Sequence, residues 1–145
     1  EAVKAFLFAE KHEIVDVGTT SKDPVDYPDY AKAVGMAVRE RQADRGILFC
    51  GSGVGASMAA NRIPGVRAGL CHDTYSAHQG VEHDDVNVVC IGAQVIGMKV
   101  VEDCLRAFLS AQFSTDEQFR RRVAKLGDLE RQAAAELTAG GSTGR

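Results

Sequence analysis

Apolar positions along this chain keep two rhythms in turn. Short unbroken runs of four to six residues alternate with longer stretches in which an apolar residue returns every three or four positions, the periods of buried strands and of helices. Residues 1–11 predict a helix with Val3, Phe6 and Leu7 on one face. His12 to Gly18 predicts a strand, and Thr19 to Pro28 a polar loop. Pro28 or Asp29 opens a helix reaching Gln42, with Tyr30, Ala33, Val34, Ala37 and Val38 as its buried stripe. Strands follow at 46–50, 66–71 and 86–91. Helices are expected from the glycine turn at 51–55 to Asn61, from Asp73 through Val81, and over 97–111. Glu82 to Asp85 reads as a loop, and Gly92-Ala93-Gln94 as a turn. Ser114 or Thr115 caps a last helix carrying Phe119, Val123, Leu126 and Leu129.

Strand and helix alternating through short connections call for an α/β fold: a single doubly wound (Rossmann-like) three-layer αβα domain with a mostly parallel sheet of about five strands. The domain is expected over residues 1–137, and the Gly/Ser-rich 138–145 as a flexible tail. Ligands of such sheets bind at the carboxyl ends of the strands. Cys50, Cys71, His72, Asp73, Gly92 and Gln94 fall there, and His83 and Asp84 on the loop before a strand.

Composition narrows the function. A chain of 145 residues with 45% apolar content builds one core. A net charge of −3 speaks against general nucleic-acid affinity. With a mean hydropathy of −0.14 and no long apolar run, a membrane span is not expected. The opening Glu1 to Phe8 reads as a helix rather than a secretion signal. Cysteines at 50, 71, 90 and 104 lack C-x-x-C spacing, which suits reduced thiols in a cytoplasmic protein and disfavours a structural zinc site.

The chemistry concentrates at Gly46-Ile-Leu-Phe-Cys50-Gly51-Ser52-Gly53-Val54-Gly55-Ala56-Ser57. A buried strand ends on Cys50, and glycines at alternate positions then let a ligand approach a row of backbone N–H donors. A thiolate beside such donors could remove a proton while they hold the resulting oxyanion. Two other readings compete. Cys50 could be a small buried apolar residue, and Gly51-x-Gly53-x-x-Ala56 satisfies a relaxed dinucleotide fingerprint, with Asp73 about 20 residues on.

Cys50-Gly-Ser-Gly-Val-Gly followed by Ala59-Ala-Asn-Arg-Ile-Pro-Gly-Val-Arg-Ala resembles the signature of the type B ribose-5-phosphate isomerases and the galactose-6-phosphate isomerase subunits. Asp26-Tyr-Pro-Asp-Tyr, Tyr75-Ser-Ala, Glu82-His-Asp-Asp-Val-Asn-Val and Gly92-Ala-Gln-Val-Ile-Gly fall in the same order, and the likeness covers roughly residues 1–130. The resemblance implies aldose–ketose isomerisation of a sugar phosphate through a cis-enediolate, without metal or organic cofactor. It implies Cys50 as base, since the alternative glutamate position is Ala56. It assigns Gly51, Gly53, Gly55 and the Ser52 hydroxyl to the enediolate oxygen, His83 to opening the furanose ring, and Tyr27 to the pocket. It further implies a homodimer or tetramer with shared sites, the His83 loop completing the pocket around the partner's Cys50.

Three departures from the family bear on substrate. The family's first strand and its Gly-x-Asp-His-x-Gly segment are expected upstream of residue 1. Asp84 stands where the family has asparagine, and a carboxylate there would repel an enediolate unless protonated or turned away. Gln94, Gln118 and Arg122 occupy positions where the family holds phosphate with arginines, so one guanidinium of three remains. Arg62, Arg67, Arg120 or Arg121 could compensate. His72 and His78 are expected at the surface or pocket wall, and Asp73 as a helix cap. The alternative function is a non-catalytic or hetero-oligomeric sugar-binding relative.

Overall fold

The computed structural model describes residues 1–140. Its elements, in chain order, are α1 (Ala2–Ala9), α2 (Tyr27–Arg39), β1 (Gly46–Cys50), α3 (Val54–Ala60), β2 (Ala68–Leu70), α4 (Thr74–Asp84), β3 (Val88–Gly92), α5 (Met98–Ser110) and α6 (Glu117–Ala139). The three strands are parallel in the order β1-β3-β2, with Cys50 opposite Gly92 and Leu70 opposite Cys90. All carboxyl ends therefore lie on one rim.

The central β3 is buried along its whole length, and its period of two feeds two cores. Val89 and Ile91 pack with Val81, Leu105 and Phe108 beneath α4 and α5. Val88 and Cys90 pack with Ala31, Val38, Leu48, Ala56 and Ala60 beneath α2 and α3. This is the expected αβα sandwich, with its sheet narrower than expected.

The predicted strand over 12–18 is not one: residues 12–17 run without ladder hydrogen bonds and mostly exposed. The reason is spatial. β1 pairs only with β3, and residues 13–18 face its other edge across a groove of about 810 Å³, out of reach of a partner. Lys4 Nζ instead tethers the segment through Asp16 Oδ2 at 2.8 Å, an ion pair that holds the Asp16 carboxyl below its ordinary value.

Other boundaries moved for local reasons. β2 spans three residues rather than six, and a side-chain amide covers its outer edge. Asn61 Nδ2 donates to the Ala68 carbonyl and Asn61 Oδ1 accepts from its N–H, at 2.9 and 2.8 Å. The expected loop at 82–85 is the last turn of α4, stopped by Asp85 in the left-handed region at φ 51°. The cap of α6 is Asp116, accepting from Gln118 N–H at 2.8 Å; Ser114 Oγ accepts from Asp116 N–H one step earlier. The buried stripe of α2 is turned toward Ala31 and Gly35, small residues that admit α3 and Ile63: a Cβ on Gly35 would lie 2.5 Å from Ile63 Cδ1. α6 carries no buried residue along its 23 positions and leaves Leu126 and Leu129 exposed. Thr138 and Ala139 are its end rather than tail; 141–145 lie outside the described residues.

Candidate active site

β1 delivers Cys50 to the carboxyl rim half-buried, and the chain turns back over it at once. Gly53 takes φ 80°, so its N–H faces inward and donates to Cys50 Sγ at 3.1 Å. Ser52 Oγ accepts from Val54 N–H at 3.3 Å, which steadies the turn. A Cβ on Gly53 would meet Leu70 Cδ1 at 2.6 Å and the Gly92 nitrogen at 3.0 Å, and one on Gly55 would enter the Tyr27 ring at 2.8–3.1 Å. Glycine at 53 lets the turn rest on β3, and glycine at 55 lets Tyr27 lie across it.

The turn after β3 docks onto this one. Ala93 N–H donates to the Cys50 carbonyl at 2.8 Å, and Gln94 N–H to the Gly51 carbonyl at 3.1 Å. The Gln94 amide stands 3.8–3.9 Å from where a Gly51 Cβ would be, over the mouth of the glycine turn. Underneath, His72 Nε2 accepts from Gly92 N–H at 2.8 Å, so this imidazole carries its proton on Nδ1. That role was not legible in the sequence, which placed His72 on the rim without showing which group it meets. Asp73 beside it caps α4 as expected: the Ser76 N–H it accepts holds its carboxyl below the ordinary range.

Cys50 is unlike the other three thiols. Cys71, Cys90 and Cys104 are buried, and burial pushes the Cys71 thiol up to about 11 and the Cys90 thiol up to about 12. Only Cys50 is part-exposed, and it lines the 810 Å³ groove together with Tyr27 and Phe49. Ala56, at the alternative base position, is 2% exposed in the core beneath α3.

Within one chain, Cys50, Gly51, Ser52, Gly53, Gly55, Tyr27 and Gln94 come together, and His83, Gln118 and Arg122 form a separate group. α4 starts on the carboxyl rim and returns to the amino end of β3; its 11 residues span about 16 Å. His83, in its last turn, is therefore near the opposite rim from Cys50. There its ring stacks on Phe119 with centroids 3.9 Å apart and planes 9° from parallel. Arg122 lies over the same Phe119 ring at 5.9 Å, and Gln118 Oε1, turned toward it, accepts from its two Nη groups at 3.0 and 2.8 Å. Asp84 is exposed beside a different cavity of about 400 Å³, lined also by Arg67, Cys71 and Leu126 on the β2 edge. Arg67 is engaged with Asp85 at 2.9 Å, and Arg120 Nε with the Ser114 carbonyl at 2.9 Å, so both are committed to the fold. No group of three or more His, Cys, Asp or Glu among the described residues is arranged to hold a metal ion, and no helix among them is long and apolar enough to cross a membrane.

Comparison with known proteins agrees with this geometry. Residues 1–126 match the sequence profile of a family described as Ribose/Galactose Isomerase. The chain is 41% identical over 111 residues to ribose-5-phosphate isomerase B of Escherichia coli, covering 77% of this chain and 74% of that protein. It is 37% identical over 113 residues to the D-erythrulose-4-phosphate isomerase of Pectobacterium atrosepticum, covering 78% and 73%. Among solved structures, the Clostridium thermocellum ribose-5-phosphate isomerase B superposes with a TM-score of 0.87 at 37% identity, over 90% of this chain and 88% of that one. The dinucleotide reading of the glycine turn is thereby set aside. The chain belongs to the ribose/galactose isomerase family, and with it to the aldose–ketose isomerases.

Proposed function

We propose that this chain interconverts an aldose phosphate and its ketose with Cys50 as the base, in a site completed by a second copy of the chain. The observation that carries the proposal is the Gly53 N–H directed at Cys50 Sγ at 3.1 Å, on the one part-exposed cysteine, at the carboxyl rim. That N–H points the positive end of its dipole at the sulfur that would take the proton.

The step follows from the sugar's chemistry. The thiolate takes the C2 proton of the open aldose; the C2–H electron pair becomes the C1–C2 double bond, and the carbonyl π pair moves to O1. The Ser52 hydroxyl and the turn's remaining N–H groups stabilise that oxyanion. The Cys50 thiol then returns the proton to C1 as the O2 proton passes to the O1 oxyanion, leaving a hydroxyl on C1 and the ketone at C2. Nothing is oxidised or reduced overall, so no redox cofactor is required, and on this reading the turn's N–H groups and Ser52 carry the oxyanion's charge. His83 serves the preceding step, giving a proton to the ring oxygen as the C1–O bond breaks. Arg122 binds phosphate, and Tyr27 and Gln94 wall the sugar.

His83 lies about 16 Å along α4 from the rim that bears Cys50, and Arg122 shares its Phe119 ring, so one chain cannot apply Cys50 and this pair to one sugar. A two-fold dimer resolves this by setting the amino rim of one copy against the carboxyl rim of the other. The exposed Leu126 and Leu129 on α6 supply apolar surface for such an interface. With one guanidinium where the family has three, the favoured substrate is a sugar phosphate other than ribose 5-phosphate. The relative that acts on D-erythrulose 4-phosphate makes a tetrose phosphate the first to assay. The protein is expected to work in the cytoplasm.

Complementation tests the shared site. Cys50→Ala and His83→Ala should each be inactive on the best ring-forming aldose phosphate of a panel. Unfolded and refolded together, they should regain about a quarter of wild-type activity, because half the dimers then hold one intact site of two. No recovery from two correctly folded dimers would refute the sharing. A panel without turnover, for free or phosphorylated sugars, would favour the non-catalytic or hetero-oligomeric reading, for which the LacB-type galactose-6-phosphate isomerase subunit, 29% identical, is a precedent.

A further inference from the structure

His83 has one ring contact that fixes its plane, and it is not a hydrogen bond. Its Nε2 stands 3.8 Å from Glu82 Oε1, too far to direct the imidazole, whereas the Phe119 ring lies parallel to it at 3.9 Å and 9°. Phe119 belongs to a different helix, α6, whose start is pinned to α4 by Ser114 N–H donating to the Glu82 carbonyl at 2.9 Å. Helix spacing then puts Arg122 three positions on, over the same ring at 5.9 Å, with Gln118 holding its guanidinium from one residue before the aromatic. A single turn of α6 thus carries a flat plate with an imidazole stacked on it and a guanidinium beside it.

We infer that Phe119 is a positioning residue for the ring-opening step: it fixes the plane of the His83 imidazole and its spacing from the Arg122 guanidinium. This rests on the reading of His83 as the group that protonates the ring oxygen. The argument is geometric. A proton delivered to a sugar oxygen must travel along the in-plane direction of a ring nitrogen, so an imidazole free to rotate about its χ angles is aligned only part of the time. A stacked aromatic removes that rotation without using either nitrogen, leaving both for proton transfer. Because the same plate contacts the guanidinium, it also sets how far the phosphate sits from the ring oxygen, a distance that depends on the length of the sugar.

The consequence is selective. Ribose 5-phosphate closes to a furanose through O4 and must be opened before it can enolise. Ribulose 5-phosphate has O5 esterified and cannot close, so loss of its C1 proton to solvent reports enolisation alone. Phe119→Leu keeps apolar bulk and removes the plane; Phe119→Tyr keeps the plane. In the full-length protein, Phe119→Leu should lower kcat on ribose 5-phosphate by about tenfold or more with KM little changed, while C1 proton wash-out from ribulose 5-phosphate stays within about twofold. Phe119→Tyr should restore turnover. A purely structural role would lower both rates together and shift the melting temperature with them. His83→Gln separates the two levels of the argument. If His83→Gln is selective for ribose 5-phosphate and Phe119→Leu is not, the inference about Phe119 fails and the role of His83 stands. If His83→Gln slows both reactions equally, the ring-opening role itself falls. One arm needs no turnover: the carbon-bound protons of His83 should move downfield in Phe119→Leu, as they leave the shielding face of the ring, and return in Phe119→Tyr. Unchanged His83 signals in Phe119→Leu would overturn the inference directly.

Discussion

Gly92 sits where β3 meets the thiol-bearing turn, and a single methyl group there should disable the site. A Cβ at this position would stand 2.6 Å from the Ser52 carbonyl oxygen and 2.7 Å from the Ser52 carbonyl carbon. Ordinary contact begins at 3.4 Å, so the turn must retreat by about 0.8 Å. The obstacle is backbone, with no rotamer to swing aside, and Gly92 cannot yield either, since His72 holds its N–H at 2.8 Å. The retreat falls on Ser52 and Gly53, the hydroxyl and the thiol's donor. Crowding of this kind costs about 1–3 kcal/mol, or roughly 2–4 °C of Tm per kcal/mol for a chain of this length. A displacement near 1 Å in positioned groups costs about 10²-fold in rate. Gly92→Ala should therefore melt a few degrees lower, yet be folded at 25 °C with kcat/KM down by about 10². Gly97→Ala is the control: nothing lies within 4 Å of its Cβ, and it should lose only a few tenths of a kcal/mol at the α5 cap. Thermal melts and isomerase rates on both variants decide it. Wild-type turnover in Gly92→Ala would show that the contact between Gly92 and Ser52 does not set the catalytic geometry.

Cys50→Ala should lower turnover by at least about 10²–10⁴ while sparing folding and substrate binding; iodoacetamide should label Cys50 before Cys71, Cys90 or Cys104, and a turnover-competent alanine variant would remove the mechanism. His72→Leu leaves the part-buried Gly92 N–H without its acceptor, which should cost about 1–3 kcal/mol in denaturant melts; His72→Gln, whose Oε1 reaches a similar place, should recover most of it, and equal loss in both would mean the bond is not what matters. Gln94→Arg, which leaves the Gln118–Arg122 contact in place, adds a guanidinium worth about 1.5–3 kcal/mol to a phosphate dianion, so kcat/KM for ribose 5-phosphate should rise; no gain would show that the phosphate binds elsewhere.

The parts of this fold that could be read from the sequence are those governed by residues close together in the chain. β1, β3 and the helices after them follow from apolar period and from Pro28, Asp73 and the glycine turn, each acting within a few positions. What could not be read depends on neighbours in space. The apolar run at 13–17 has a strand's composition, but a strand exists only if another chain segment presents its edge. Val66 to Cys71 has it too, yet only Ala68–Leu70 pair with β3, and Asn61 occupies the free edge at Ala68. His83 was expected on a loop because Glu82-His-Asp-Asp is polar; it is helical because α4 continues until Asp85 adopts the left-handed conformation.

The candidate site divides along the same line. Cys50 through Gly55 is one continuous stretch, so its geometry is a local matter, and the sequence expectation of a thiol beneath backbone donors matches the Gly53 N–H at 3.1 Å. Tyr27 and Gln94 reach it from other elements; Gln94 was expected on the same rim from the order of strands and turns, Tyr27 only from the resemblance. Phe119 carried no such mark, since an aromatic on the apolar stripe of a helix is ordinarily core. Only the α4–α6 contact turns it toward His83. Gln118 shows how the same contact changes a residue's meaning. Read as a lost phosphate arginine, it is a weakened ligand; in place, its carbonyl oxygen accepts from both Nη groups of Arg122, and a neutral acceptor there orients a guanidinium without cancelling its charge. A carboxylate at position 118 would orient Arg122 as well but neutralise it, and an arginine would add charge while releasing the tether. On the reading of Arg122 as the phosphate ligand, glutamine at 118, with its oxygen toward the guanidinium, keeps that one cation aimed while leaving its charge to a dianion.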